Sequence, residues 1–386
     1  MQSVDVRHSA SITLHSLRLS LVHHLYLHVP FCARRCTYCD FSIAVRKRIP
    51  ADDYVAAIRA EVDQVGGFGA LETIYLGGGT PSLLPPDALQ MVLLDASRST
   101  TLLDEVEVTL EANPEDVTPD AARAWIAAGI NRVSLGAQSF DDRVLGWMHR
   151  SHDAQRIGIA VDTLRRAGVD NISLDLIFAL PAELGRDWSR DLDHAIALEP
   201  AHLSLYGLTV EPRTPLARWV SRGATTVTDD ERYAEEYLLA HERLAGAGYS
   251  FYEVSNAARD GGRSRHNSAY WSGRSYLGLG PSAHSYDGRT RRWNIPAWEA
   301  YRRALAEGRS PVESEEVLSD EQLELERRYL GLRTAEGLHL PPSAPLSAMV
   351  EKGWLVEQAD RVRCTPEGWL RLDALVGALT GSAAIS

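Results

Sequence analysis

Two rhythms of hydrophobic and polar positions alternate through the first part of the chain. His24-Leu25-Tyr26-Leu27-His28-Val29 alternates with period two and predicts a strand, which Pro30 ends. From Pro50 onward, Tyr54, Val55, Ile58, Val62 and Val65 recur at helical spacing, and Gly66-Gly67 stops the pattern. The pair of rhythms then repeats. Strands are expected over 73–76, 106–110, 132–135, 171–178 and from His202. Helices are expected over 88–96, from Thr118-Pro119, around Ile157, Val161 and Leu164, and over 187–198. Pro119 suits a first helical turn, where its missing N–H has no partner to lose. Strands alternating with helices predict a parallel sheet with right-handed crossovers. Six such units fall short of the eight that close a barrel, so the expected fold is α/β, an open (β/α)6 partial TIM barrel.

Beyond about residue 225 the alternation stops. A helix is expected over 229–246, a strand over 251–255, a glycine-rich turn over 278–284 and a helix over 320–333. The order helix, strand, strand, helix over 346–379 predicts a winged-helix-like end to a smaller C-terminal α+β domain. The expected organisation is an extension without persistent structure over 1–23, the partial barrel over 24–225, a barrel-associated segment over 226–312 and the C-terminal domain over 313–386.

Charge narrows the partners. The net charge of −12 argues against bulk nucleic acid. From Glu313 onward, 13 acidic residues face 7 basic ones, so the C-terminal domain reads as a lid or partner-docking surface rather than a DNA reader. No apolar run approaches the roughly 20 residues of a membrane span. Residues 1–23 lack the arginine density of a transit peptide. Four cysteines with three clustered do not make a disulfide framework, so a reducing compartment, the cytoplasm, is expected.

That cluster carries the chemistry. Cys32, Cys36 and Cys39 follow the first strand in the spacing CxxxCxxC. Soft thiolates select zinc or an iron–sulfur cluster. Structural zinc usually takes four protein ligands, whereas this loop offers three, and position 41 is Phe41. Three thiolates on a 4Fe-4S cluster leave one iron open to a small molecule, and this is the expected metal centre. Other unusual motifs also fall at C-terminal strand ends, where parallel barrels build their sites. They are Gly77-Gly78-Gly79-Thr80, Glu111, Gln138 and, within the fifth strand, Asp175. The glycine run admits a ligand to backbone N–H groups, although a tight turn is the plainer reading. Glu111 and Asp175 could pair with a cation, and Arg150 could hold a carboxylate through two parallel hydrogen bonds.

The segment LYLHVPFCARRCTYCDF, together with RVSLGAQSF, ISLDLIFALP, HLSLYGLTVEPRTP, YEVSN, HNSAYW and YLGLGPSAHS, resembles the HemN-like radical SAM family from residue 24 to about 375. That family holds oxygen-independent coproporphyrinogen III oxidases and heme chaperones. The resemblance implies that S-adenosyl-L-methionine (SAM) is chelated by the open iron and cleaved to a deoxyadenosyl radical. It implies SAM contacts at Tyr26, Gly78, Gly79, Thr80, Glu111, Gln138, Arg150 and Asp175, with Tyr38 flanking the cluster. Oxidases of the family read CxxxCxxCxC. Here Phe41 stands at the last position, as in the chaperones, and the chain before Tyr26 is shorter than the oxidases' extension. The resemblance therefore implies a chaperone that binds heme and delivers it to acceptor hemoproteins, membrane-associated respiratory proteins among them. A low-potential electron donor is implied, and a homodimer is admitted. The alternative is the oxidase itself, whose radical abstracts hydrogen from propionates that leave as carbon dioxide.

Within HNSAYW, His266 is the expected axial heme ligand, with Tyr270 or Trp271 stacking on the porphyrin. Arg259, Arg263 and Arg265 stand by for the propionates. A lone histidine beside Asn and aromatics also fits a hydrogen-bonded structural role, and His24, His28, His149, His152 and His284 are rival ligands. Cys364 reads as core. Ala179 and Glu183 make the turn ALPAEL depart from the family's GLPGQ-like form.

Overall fold

One nine-stranded sheet organises the chain. The computed structural model describes residues 22–98 and 100–380, and the extension expected over 1–23 lies outside them except for its last two residues. Strands β1 (His24–Val29), β2 (Leu71–Gly78), β3 (Leu102–Ala112), β4 (Arg132–Gln138), β5 (Ile172–Phe178) and β6 (His202–Gly207) run parallel in sequence order. The crossovers are α1 (Ala51–Val65), α2 (Pro86–Ser97), α3 (Pro119–Ala127), α4 (Asp142–Trp147) with α5 (Ala154–Ala167), and α6 (Trp188–Ala197). Leu25, Leu27 and Val29 of β1 join the core cluster that also contains Tyr54, Ile58 and Val62 of α1. The alternate residues His24, Tyr26 and His28 point the other way and line a cavity. The period of two thus sends one set of side chains to the helices and the other to the inside of the sheet.

The sheet does not close into a barrel. After α7 (Asp230–Gly246), the antiparallel hairpin β7 (Ser250–Glu253) and β8 (Asn256–Ala258) extends the β6 edge. At the other edge β9 (Leu277–Leu279) pairs parallel with β1. This segment overlaps the expected glycine-rich turn over 278–284, and it is a strand because Leu277 and Leu279 are buried in the core. A Cβ on Gly278 would lie 2.1 Å from the His284 carbonyl oxygen, so its glycine serves a close backbone crossing.

Helix α8 (Arg265–Trp271) carries HNSAYW across the inside of the sheet. The buried Glu107 of β3 accepts the backbone N–H groups of Arg265 and His266, each at 3.0 Å, and anchors the first turn. A second sheet, β10 (His284–Tyr286), β11 (Thr290–Asn294) and β12 (Val312–Val317), had no hydrophobic signature. Its register opposes Arg291 to Glu316 and Arg292 to Glu315, so charge pairs take the place of apolar alternation. Helices α9 (Asp320–Arg333) and α10 (Ala344–Glu351) follow, then the antiparallel pair β13 (Leu355–Gln358) and β14 (Arg361–Cys364), and two helices, Pro366–Trp369 and Leu372–Thr380. Cys364 is buried, and burial pushes its thiol up to about 12. No described helix is long and apolar enough to cross a membrane.

The ALPAEL turn is held from outside. Ala179 sits at φ 57°, and its N–H donates to Glu236 Oε2 at 2.7 Å. Glu183 accepts from Thr225 Oγ1 at 2.6 Å and from Thr226 N at 2.9 Å, and these bonds hold its carboxyl down to about 2.

Candidate functional site

A cavity of about 390 Å³ opens at the C-terminal ends of the strands. Its lining brings together Cys32, Cys36, Cys39, Tyr38, Gly78, Gly79, Thr80, Glu111, Gln138, Arg150 and Asp175. Cys32 is buried and its sulfur accepts from Thr80 Oγ1 at 3.4 Å. Burial pushes the Cys32 thiol up, and the Cys39 thiol up to about 11. Such thiols ionise when a metal takes the proton's place. Among the described residues no three His, Cys, Asp or Glu side chains close on a single ion. Three thiols in one loop, with no fourth cysteine in the cavity lining, fit an iron–sulfur cluster with one open iron better than a closed four-ligand zinc site. Tyr38 packs behind the loop against Val144, Met148, Ile177 and Leu180. Phe41 stands at the mouth, 60% exposed.

Arg150 is the cation beside the thiols. Its Nη1 lies 3.6 Å from Cys36 Sγ, and Nη2 donates to Asn113 Oδ1 at 2.6 Å and Gly136 O at 2.9 Å. Its buried Nε has no partner among the described residues. Opposite stand two acids. Glu111 accepts from Tyr75 Oη at 2.8 Å and Gly78 N at 3.0 Å. Burial and the nearby Asp175 carboxylate raise its carboxyl to about 7. Asp175 accepts from Ser134 Oγ at 3.1 Å, and burial raises it too. Neither acid forms a salt bridge among the described residues, and the nearby Arg132 charge offsets only part of the effect of burial on them.

The glycine run is explained partly by the chain's own packing. Gly78 takes φ 113°, and a Cβ there would lie 2.6 Å from the His28 ring. A Cβ on Gly79 would meet the Phe31 carbonyl oxygen at 2.7 Å. Asn113, Ser134, Tyr75 and Tyr206 were missed in the sequence. Register could have found Ser134, which β3–β4 pairing sets opposite Glu111.

Two expected site residues lie elsewhere. Tyr26 stacks on Tyr75 at 6.1 Å between ring centres, and its hydroxyl meets His28 Nδ1 at 3.1 Å. It lines a second cavity, of about 1,270 Å³, on the far side of that aromatic wall. His266 is 1% exposed, with Nδ1 on Thr73 Oγ1 at 2.7 Å and Nε2 on Tyr270 Oη at 2.8 Å. Tyr270, Trp271, Arg263 and Arg265 line the second cavity, whereas Arg259 lies over the Tyr249 ring.

The radical SAM superfamily profile matches residues 26–195. The heme chaperone HemW of Mycobacterium tuberculosis is 38% identical over 92% of this chain and 94% of its own. The chain belongs to the HemW family. The HemW heme chaperone of Bacillus subtilis is 33% identical over 92% of this chain and 98% of its own. Among solved structures, Escherichia coli coproporphyrinogen III oxidase, HemN, a radical SAM enzyme, superposes with a TM-score of 0.80 over 95% of this chain and 92% of that one. At 19% identity this likeness establishes the fold that the HemW family shares with HemN, and not the reaction.

Proposed function

We propose that this HemW-family chain is a heme chaperone. It holds a 4Fe-4S cluster on Cys32, Cys36 and Cys39, SAM in the smaller cavity, and heme in the larger one, for delivery to acceptor hemoproteins. The observation that carries the reading is the separation of the two cavities. An oxidase must bring a tetrapyrrole propionate to the radical carbon, yet a cavity of about 390 Å³ leaves little room beside SAM. The wall of Tyr26, Tyr75 and His266 stands between that cavity and the larger one of about 1,270 Å³.

When bound, the cluster supplies an electron at low potential to an open coordination site. The chain's own residues do the rest. Arg150 sets a positive charge against the thiolates. Tyr38 and its apolar neighbours keep water from behind the loop. Gly78, Gly79, Thr80 and Gln138 line the path a SAM amino acid group would take, and Glu111 and Asp175 face its cationic charge. A low-potential donor outside the chain would supply the cluster's electron, and membrane-associated respiratory hemoproteins would be among the acceptors.

Glu111 makes the SAM site pH-dependent. With its carboxyl raised to about 7 in the free site, a cationic ligand must drive off the proton. Affinity for SAM is therefore full above pH 7 and falls by up to about tenfold per pH unit below it. Asp175, also raised, steepens the fall. Titration calorimetry of the reconstituted protein should show this slope. Glu111→Gln should bind more weakly at pH 8 and flatten the profile, and an unchanged slope in that variant would remove Glu111 from the site.

The function itself is tested by anaerobic incubation with coproporphyrinogen III, SAM and a reductant, alongside titration with hemin. Hemin binding without product is expected. Conversion to protoporphyrinogen IX would replace the chaperone by the oxidase.

A further inference from the structure

We propose that heme lies in the larger cavity with its iron on His284, an inference that rests on the heme-chaperone reading. The cavity, of about 1,270 Å³, exceeds the usual 300–1,000 Å³ of small-molecule pockets and admits a molecule the size of a tetrapyrrole. Its walls come from β1, α8, the β10–β11 hairpin and α9, so a ligand there is held by both the parallel sheet and the C-terminal helices.

The chemistry of the wall suits a flat, iron-bearing dianion. Tyr270, Trp271, Tyr276 and Tyr286 supply aromatic surface. Arg263, Arg274 and Arg291 are tied to Glu336, Glu72 and Glu326 at 2.6, 3.0 and 2.6 Å, and Arg265, Arg327 and Arg361 add further positive charge to the lining. Cations therefore exceed carboxylates on this wall, in a chain whose net charge is −12. Trp271 Nε1 and His24 Nε2 are buried with no partner among the described residues. Of the two, Trp271 Nε1 points to a ligand or ordered water meeting it, since buried polar atoms are otherwise paired.

Four imidazoles stand on or behind this wall, and an axial ligand needs a free ring nitrogen that iron can reach. His266 has both nitrogens engaged, by Thr73 and Tyr270. His28 has both engaged, by Tyr26 Oη at 3.1 Å and Ser42 O at 3.1 Å. His24 spends Nδ1 on Thr73 at 3.0 Å, and its free Nε2 is sealed from solvent. His284, at the start of β10, is exposed and lines the cavity, with no hydrogen bond to either ring nitrogen among the described residues. Its ring stacks on Trp293 at 5.9 Å and 26°, which fixes its plane while leaving the nitrogens free. A ligand at the open side of the cavity also suits a protein that must give its heme away.

The test is hemin titration of the full-length protein, followed in the Soret region, for wild type, His284→Ala, His266→Ala and His24→Ala. His284→Ala should shift the Soret band and weaken hemin binding by at least about tenfold. Added imidazole should restore the wild-type spectrum in that variant. The other two variants should keep the wild-type spectrum. An unshifted Soret band in His284→Ala, or loss of the axial ligand in His266→Ala or His24→Ala instead, overturns the assignment. Circular dichroism checks that each variant is folded, and rescue by imidazole separates loss of the iron ligand from loss of the His284 stack on Trp293. Failure of the wild type to bind hemin would sink the chaperone reading itself, a result distinct from any of these.

Discussion

Replacing Cys36 with alanine is expected to leave the chain unable to hold its cluster. Anaerobic reconstitution of the wild type should give about four irons per chain with thiolate-to-iron absorption, and the variant should lose both. Outer contacts of a metal site are commonly worth 10–100-fold in affinity, so loss of one of three thiolates should exceed about a hundredfold. The reason lies in the loop. Among the described residues its three thiols line the cavity with no further cysteine, since Cys364 sits on β14 in the C-terminal region. Arg150, with Nη1 3.6 Å from Cys36 Sγ and tied down by Asn113 and Gly136, loses this sulfur contact in the alanine variant. Cys364→Ala is the control and should retain full iron. A Cys36→Ala protein that keeps the wild-type iron content and absorption would remove this cysteine from the cluster.

The parallel sheet was legible because the physics behind it is local. In β1 the apolar residues alternate with His24, Tyr26 and His28, and in α1 they recur at helical spacing, so each element carries its own period. Strand ends were read short. Leu71–Gly78 begins and ends beyond the expected 73–76 because Gly77 and Gly78 belong to the ladder despite their low strand propensity. The β10–β12 sheet and β9 escaped for a different reason. They are held by the Arg292–Glu315 pair across the strands, the Arg291–Glu326 pair to α9 and a close backbone crossing, which exist only after separate segments have met.

The site divides in the same way. Residues at the C-terminal ends of strands reach one cavity because the architecture sends them there, whatever lies between them in sequence. Tyr26 and His266 could not be placed by that rule. Tyr26 is three residues before Val29, which pairs with Gly78 at the end of β1, and it stacks into the wall instead. His266 belongs to a helix whose position depends on Glu107, a residue of β3 more than 150 positions earlier that no local pattern connects to it. The glycine run illustrates the opposite limit. Three glycines signalled close approach, but the sequence could not say that the approaching groups include the chain's own His28 and Phe31.

Arg186→Leu should produce the largest loss of folding stability, about 3–5 kcal/mol at pH 7 by denaturant titration. Its side chain is fully buried, with Nη2 2.6 Å from Glu236 Oε2, Nη1 3.5 Å from Asp191 Oδ2 and 3.1 Å from the Ile177 carbonyl. The guanidinium also lies over the Trp188 ring at 4.7 Å. Leucine preserves part of the volume but removes the charge that two buried carboxylates share. Glu236 still has Arg232 at 3.0 Å, whereas Asp191 is left with only the neutral donors Ser139 and Phe140. Burial already raises the Asp191 carboxyl, and loss of the cation raises it further. A folded-state value above the unfolded one favours folding at low pH and weakens it as pH rises between the two. The deficit of the variant against wild type should therefore be greatest at pH 7 and shrink toward pH 4. The exposed pair Arg327–Glu324, at 2.7 Å, offers the contrast, since Arg327→Ala should change stability by no more than about 0.5 kcal/mol. An Arg186→Leu deficit below about 1 kcal/mol, or one that does not narrow in acid, would show that this ion pair does not hold the ALPAEL turn and its carboxylates in place.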